Sequence, residues 1–157
     1  MSIQIGVIGA GSCNRTVADI AEKVGQEIAK HNALLICGGL GGVMEAAARG
    51  AKNAGGCTIG ILPGNIRNNS NPYIDIEILS NMGHARNAII AESCDALIAI
   101  NGEYGTLSEI ALSLKMGKTV ICLDSKWDIE GTIVAKDAED AVKIAIKSLD
   151  SSSEYSQ

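Results

Sequence analysis

Strand-length apolar runs that end in glycine-rich turns constrain this chain more than any other feature. Residues 3–8 run into Gly9-Ala10-Gly11-Ser12, and residues 33–37 into Gly38-Gly39-Leu40-Gly41-Gly42. Residues 57–62 run into Pro63-Gly64, and residues 96–100 into Asn101-Gly102-Glu103-Tyr104-Gly105-Thr106. Helical stripes lie between these runs, for example Val17, Ile20, Ala21, Val24, Ile28 and Ala29. Apolar strands alternating with helices predict an α/β, Rossmann-like three-layer fold, because each crossover helix hides one face of a mostly parallel sheet. Glycine turns at strand carboxyl ends lie where such sheets bind ligands, at helix amino termini with unpaired amides.

The remaining elements follow from the same periodicities. Helices are expected over residues 43–53, from 82 to 94 with Ser80 or Asn81 as cap, over 107–116, and from an Asp137 cap to residue 149. Further strands are expected at 75–79, 120–123 and 132–135, with an irregular polar loop after Pro63 that holds Asn65, Asn68, Asn69, Ser70 and Asn71. Residues 1–150 read as one nucleotide- or phosphate-binding domain, and 151–157 as a flexible tail. The 157-residue chain has no phenylalanine, so Ile, Val, Leu and Ala should build the core.

A net charge of -5 gives no support to attraction for nucleic acid or anionic lipid. The chain shows no secretory signal pattern and no apolar run long enough to span a membrane, so a cytoplasmic protein is expected. Its five cysteines have no CxxC spacing and are expected to be reduced and mainly buried. The histidines, His31 and His84, form no metal set with the acids, so no protein-bound metal is expected.

The glycine turns carry unequal information. GAGSCN resembles a dinucleotide fingerprint but has Asn14 in place of the third glycine, and no acid ends the second strand. Ser12 could donate to a phosphate, although this loop alone favours a simple turn into a helix. The 38–42 run exposes backbone amides where a helix begins, which suits an oxyanion. Glu45 and Arg49 are spaced for a pair on that helix. Thr106 and Glu109 have the spacing of a capping box, and a carboxylate placed beside a ribosyl phosphate could also assist glycosidic cleavage. Arg86 supplies a fork suited to phosphate or carboxylate, with pairing to a glutamate as the competing role. Trp127 reads as a loop-packing residue or a subunit contact.

GGLGGVMEAAARGAKNAGG at 38–56, ILPG at 61–64 and NMGHARNAIIAESCDALIAINGEYGTLSEI at 81–110 resemble the Rossmann-like superfamily misleadingly labelled lysine-decarboxylase-like. That superfamily includes the lonely-guy phosphoribohydrolases, which release a purine base from a nucleoside 5'-monophosphate. Molybdenum cofactor carrier proteins also belong to it, and DNA-processing proteins of the DprA type are distant kin. The hydrolase signature Pro-Gly-Gly-x-Gly-Thr-x-x-Glu maps onto Gly102, Gly105, Thr106 and Glu109, and its arginine onto Arg86. Asn101, Glu103 and Asn87 depart from that pattern, and an inward Glu103 would repel phosphate.

The resemblance therefore implies binding of a phosphorylated nucleotide-like ligand, with a molybdopterin-type carrier as the first reading and the phosphoribohydrolase as the second. A DNA-processing-related binding protein is the third. A homodimer or larger homo-oligomer is implied as well. The candidate binding residues are Gly11, Ser12, Gly38, Gly39, Gly41, Gly42, Gly102, Gly105 and Thr106. For a hydrolase, Arg86 and Glu109 are the candidate catalytic residues.

Overall fold

The computed structural model describes residues 2–152. Seven strands form one parallel sheet in the order β4-β3-β2-β1-β5-β6-β7. They are β1 (Gln4–Gly9), β2 (Leu34–Cys37), β3 (Thr58–Leu62), β4 (Ile76–Leu79), β5 (Ala96–Ile100), β6 (Thr119–Leu123) and β7 (Ile133–Val134). Among the described residues, four α-helices lie between strands, α1 (Arg15–Lys30), α2 (Val43–Asn53), α3 (Arg86–Ser93) and α4 (Tyr104–Lys115), and α5 (Ala138–Ser152) follows β7. From β1 the chain builds outward through β2 and β3 to β4, then returns to lay β5 on the other side of β1. Gly9 pairs in register with Ile100, so the carboxyl ends of β1 and β5 meet where the strand order reverses.

Alternating side chains of the central strands feed two cores. Ile5, Val7, Ile98 and Ile100 face α1, α2 and α5, whereas Ile8, Leu97 and Ala99 face α3 and α4. Every residue of β5 is buried, as expected for a strand covered on both faces. The core has the predicted Ile, Val, Leu and Ala composition. Cys37, Cys94 and Cys122 are buried free thiols, and burial pushes Cys37 up to about 11 and Cys94 up to about 12.

Several local expectations are corrected. Ser80 and Asn81 cap no helix; Ser80 donates its hydroxyl to the Leu62 carbonyl, and a 3-10 turn (Gly83–Ala85) delays α3 to Arg86. The Thr106–Glu109 capping box does not form, because α4 already begins at Tyr104 and its N-cap is Glu103. Arg49 pairs across helices with Glu22 at 3.0 Å, and not with Glu45. The short seventh strand occupies two residues of the predicted 132–135. The Asp137 cap is present, its carboxylate accepting from the Asp140 amide at 2.8 Å. Helix α5 extends through residues 151 and 152; the rest of the predicted tail lies outside the described residues.

The α1–α2 contact depends on missing side chains. A Cβ on Gly25 would lie 1.9 Å from the Ala47 carbonyl oxygen, and one on Gly50 would lie 1.9 Å from that of Glu22. Neither backbone can yield without parting the helices, so Gly25→Ala should cost about 1–3 kcal/mol of stability despite alanine's better helix propensity. Urea unfolding of the variant checks this, with an unchanged midpoint as the contrary result.

Candidate functional site

The crevice begins with two loops that need glycine to lie against each other. A Cβ on Gly42 would stand 2.3 Å from the Ala10 carbonyl oxygen, and one on Gly41 3.1 Å from that of Gly11. The Val43 amide donates to Ala10 at 3.0 Å and ties the start of α2 to the β1 turn. Asn14 takes the N-cap of α1 by accepting from the Val17 amide at 2.9 Å, which accounts for an asparagine at this turn. The 38–42 run therefore supports the floor. Asn71, from the irregular loop, secures that run by donating its side-chain amide to Leu40 O and its backbone amide to Gly39 O, at 2.8 and 2.9 Å.

A cleft of about 210 Å³ opens beyond the ends of β1 and β5. Gly11, Arg86, Gly105, Thr106 and Glu109 line it. Ser12, Gly38, Gly39, Gly41, Gly42 and Gly102 do not line it. Gly102, at φ 116°, packs tightly against Thr106, and its amide donates to the Asn101 side chain at 2.7 Å. That amide is thereby engaged within its own turn. Gly105 sits in the first turn of α4, where backbone amides lack intrahelical partners, and a Cβ added there would meet nothing within 4 Å.

Arg86 is 9% exposed. Its guanidinium occupies space that Gly38 leaves, since a Cβ at 38 would lie 2.8 Å from Nη2. Nη1 donates to Asn87 Oδ1 at 2.9 Å, Asn87 Nδ2 donates to Ser108 Oγ at 3.2 Å, and Ser108 donates to the Gly105 carbonyl at 2.7 Å. This relay fixes the cation to the first turn of α4. Nε is buried without a hydrogen-bond partner. Burial depresses the Arg86 pKa, while the neighbouring Glu109 opposes that shift; a guanidinium nevertheless keeps its charge at neutral pH.

Glu109 is 7% exposed, and burial raises its carboxyl to about 7, with Arg86 moderating the effect. Near neutrality it can donate or accept a proton. Gly9, Ala10, Met44, His84, Asn87 and Glu103 also line the cleft but were not assigned to it from sequence. His84 and Glu103 are exposed at its mouth. The position of Glu103 at the N-cap of α4 follows from the early start of the helix, which the apparent capping box concealed. Among the described residues, no group of three or more His, Cys, Asp or Glu side chains is placed to hold a metal ion, and no helix is long and apolar enough to cross a membrane.

Because the folded protein holds a Glu109 proton that the unfolded chain releases at lower pH, stability should fall as pH rises from about 4.5 to about 7. Glu109→Gln should remove this component and be more stable than the parent at pH 8 by up to about 3 kcal/mol. Urea unfolding of both proteins at pH 5 and pH 8 checks it; equal pH dependence would contradict the assignment.

The sequence pattern of the SLOG cluster4 family matches residues 2–153. An uncharacterized protein of Archaeoglobus fulgidus is 51% identical over 93% of this chain and 96% of its own length. The structure of the molybdenum cofactor binding protein from Rippkaea orientalis superposes with a TM-score of 0.88 at 38% identity, covering 95% of this chain and 98% of the other. A structure of the Moco carrier protein from Chlamydomonas reinhardtii gives 0.87 at 35% identity, covering 96% and 99%. A probable cytokinin riboside 5'-monophosphate phosphoribohydrolase of Oryza sativa subsp. japonica is 31% identical over 61% of this chain, which spans 44% of that protein. DNA processing protein A from Streptococcus pneumoniae is similar in fold alone, at 21% identity and a TM-score of 0.74, over 90% of this chain and 61% of the other. These similarities agree with the lysine-decarboxylase-like resemblance of the glycine motifs, and the match across residues 2–153 shows that the chain belongs to the SLOG cluster4 family.

Proposed function

We propose that the β1–β5 crevice binds the phosphate-bearing end of a nucleotide-like cofactor, and that the protein acts as a carrier for a ligand of the molybdopterin type. The observation that carries this reading is the buried, incompletely hydrogen-bonded Arg86 guanidinium beside the first turn of α4. The helix end contributes partial positive charge, and Gly11 and Gly105 leave backbone open to close approach. Arg86, Thr106 and the first-turn amides of α4 would hold the phosphate. This donor set fits a phosphate, and Glu109 can reduce repulsion by retaining its proton. The likeness to the Rippkaea and Chlamydomonas proteins, extending over nearly the full length of both chains, supports a cofactor-binding role.

The near-neutral Glu109 carboxyl in the same crevice favours a second reading, phosphoribohydrolase activity on a purine nucleoside 5'-monophosphate. There Glu109 would donate its proton to a purine ring nitrogen as the bond between the base and ribose C1' breaks. Water would add hydroxide to C1', and its remaining proton would return to the carboxylate. The products would be free base and ribose 5-phosphate. The similarity to the rice proteins supports keeping this activity in view, although this chain spans less than half their length.

Anaerobic equilibrium dialysis against molybdopterin, and chromatography of purine nucleoside monophosphates incubated with the protein, separate the two readings. A carrier retains molybdopterin and releases no base. Arg86→Ala should weaken retention roughly 10–100-fold, with Arg86→Lys losing less, because charge-assisted hydrogen bonds contribute about 1.5–3 kcal/mol. Stoichiometric base release that disappears in Glu109→Gln, with nucleotide binding kept, would favour the hydrolase. If folded protein neither retains molybdopterin nor binds nucleotide, the crevice reading fails.

A further inference from the structure

The chain has three tyrosines, one tryptophan and no phenylalanine, yet two of these four rings, Tyr104 and Trp127, meet. Tyr104 is the first residue of α4, between Glu103 and Gly105, both of which line the cleft. It is 80% exposed. Its ring lies 5.9 Å from that of Trp127, centroid to centroid, at 46°. Trp127 comes from the loop between β6 and β7, where its amide donates to Ser125 Oγ at 3.0 Å. The Lys126 ammonium lies 5.3 Å from the centroid of the indole ring. The indole N–H is shielded from water and has no partner, so ring packing and the flanking cation hold the indole, with no hydrogen bond through Nε1.

Packing alone does not account for Tyr104. A tyrosine placed only to cover Trp127 would bury most of its own ring, whereas this one leaves most of its surface in water at the first turn of α4. A ligand held by phosphate at Gly105, Thr106 and Arg86 would leave its remaining parts outside the small cleft, whose lining includes Glu103 and Gly105 on either side of Tyr104 in the chain but not the Tyr104 ring itself. Aromatic side chains at such positions stack planar bases with little regard to base identity, each contributing about 1–3 kcal/mol.

We infer that Tyr104, backed by Trp127, is the platform on which the planar heterocycle of the ligand stacks. It is a specificity-determining residue that distinguishes nucleotide-like or pterin phosphates from simple sugar phosphates. The inference rests on the reading that the crevice takes a phosphate-bearing ligand. Tyr104 supplies ring surface and takes no part in bond breaking.

The test compares carbocyclic AMP, which lacks a glycosidic bond to hydrolyse, and 6-hydroxymethylpterin phosphate with base-free ribose 5-phosphate. Affinity is measured by calorimetry, and the emission of Trp127, the chain's one tryptophan, is followed in parallel. Wild-type protein should bind the two heterocyclic probes about tenfold more tightly than ribose 5-phosphate, and only they should perturb the emission. Tyr104→Ala should erase that preference while leaving ribose 5-phosphate affinity unchanged, and Tyr104→Phe should preserve it. A preference that survives Tyr104→Ala, or is absent from wild type, overturns the stacking role and leaves the crevice reading standing. Loss of ribose 5-phosphate binding in Tyr104→Ala assigns the residue to the integrity of α4 and also overturns the platform. Failure of wild type to bind any of the three probes overturns both readings.

Discussion

The carboxyl-end face of the sheet is organised around the room that Gly38 leaves for a guanidinium. Arg86 can be buried because no side chain projects from the end of β2 toward it, and because Asn87 accepts one of its hydrogen bonds. Burying an arginine carries a desolvation cost that is offset only when other groups face the charge favourably. Much of the local architecture has that effect. The 38–42 turn makes the space, Asn71 holds that turn, and Asn87 and Ser108 connect the cation to the start of α4.

The second consequence is electrostatic. Arg86 and Glu109 share the crevice, but the carboxyl titrates near neutrality because its desolvation outweighs the attraction of the cation. Near neutrality Glu109 therefore offsets the Arg86 charge only in part. With the proton present, the acid repels an incoming phosphate less than an ionised carboxylate would. The positive end of α4 acts in the same direction. Glu103 stands at the exposed mouth, where solvent screens it more than it can screen a buried group.

The central fold was legible in sequence because its signals are local. Residues 96–100 read as an unbroken apolar run and become a strand buried on both faces, and the stripe from Val17 to Ala29 becomes the inward face of α1. The beginning of α4 was less legible. Thr106 and Glu109 have ideal spacing for a cap, yet both are more useful buried toward the crevice, and an extended Glu103 starts the helix two residues before the threonine. Pairings across long chain separations left still weaker signals. Nothing in the spacing of Asn87 announces Ser108, and nothing near Arg49 announces Glu22. Gly11, Gly105, Thr106, Arg86 and Glu109 do converge on one cleft, whereas the consecutive glycines at 38–42 lie outside the lining of that cleft and allow close packing around it.

Asn71 lies in the least regular stretch of the chain, toward the β4 edge of the sheet, but its two hydrogen bonds reach the turn on which Arg86 rests. The edge and the Arg86 crevice are thereby joined by direct hydrogen bonds. Asn71 supplies donors to the carbonyls of Gly39 and Leu40 and so braces the turn against which the guanidinium rests. The irregular segment thus serves as a brace for a turn near the centre of the sheet.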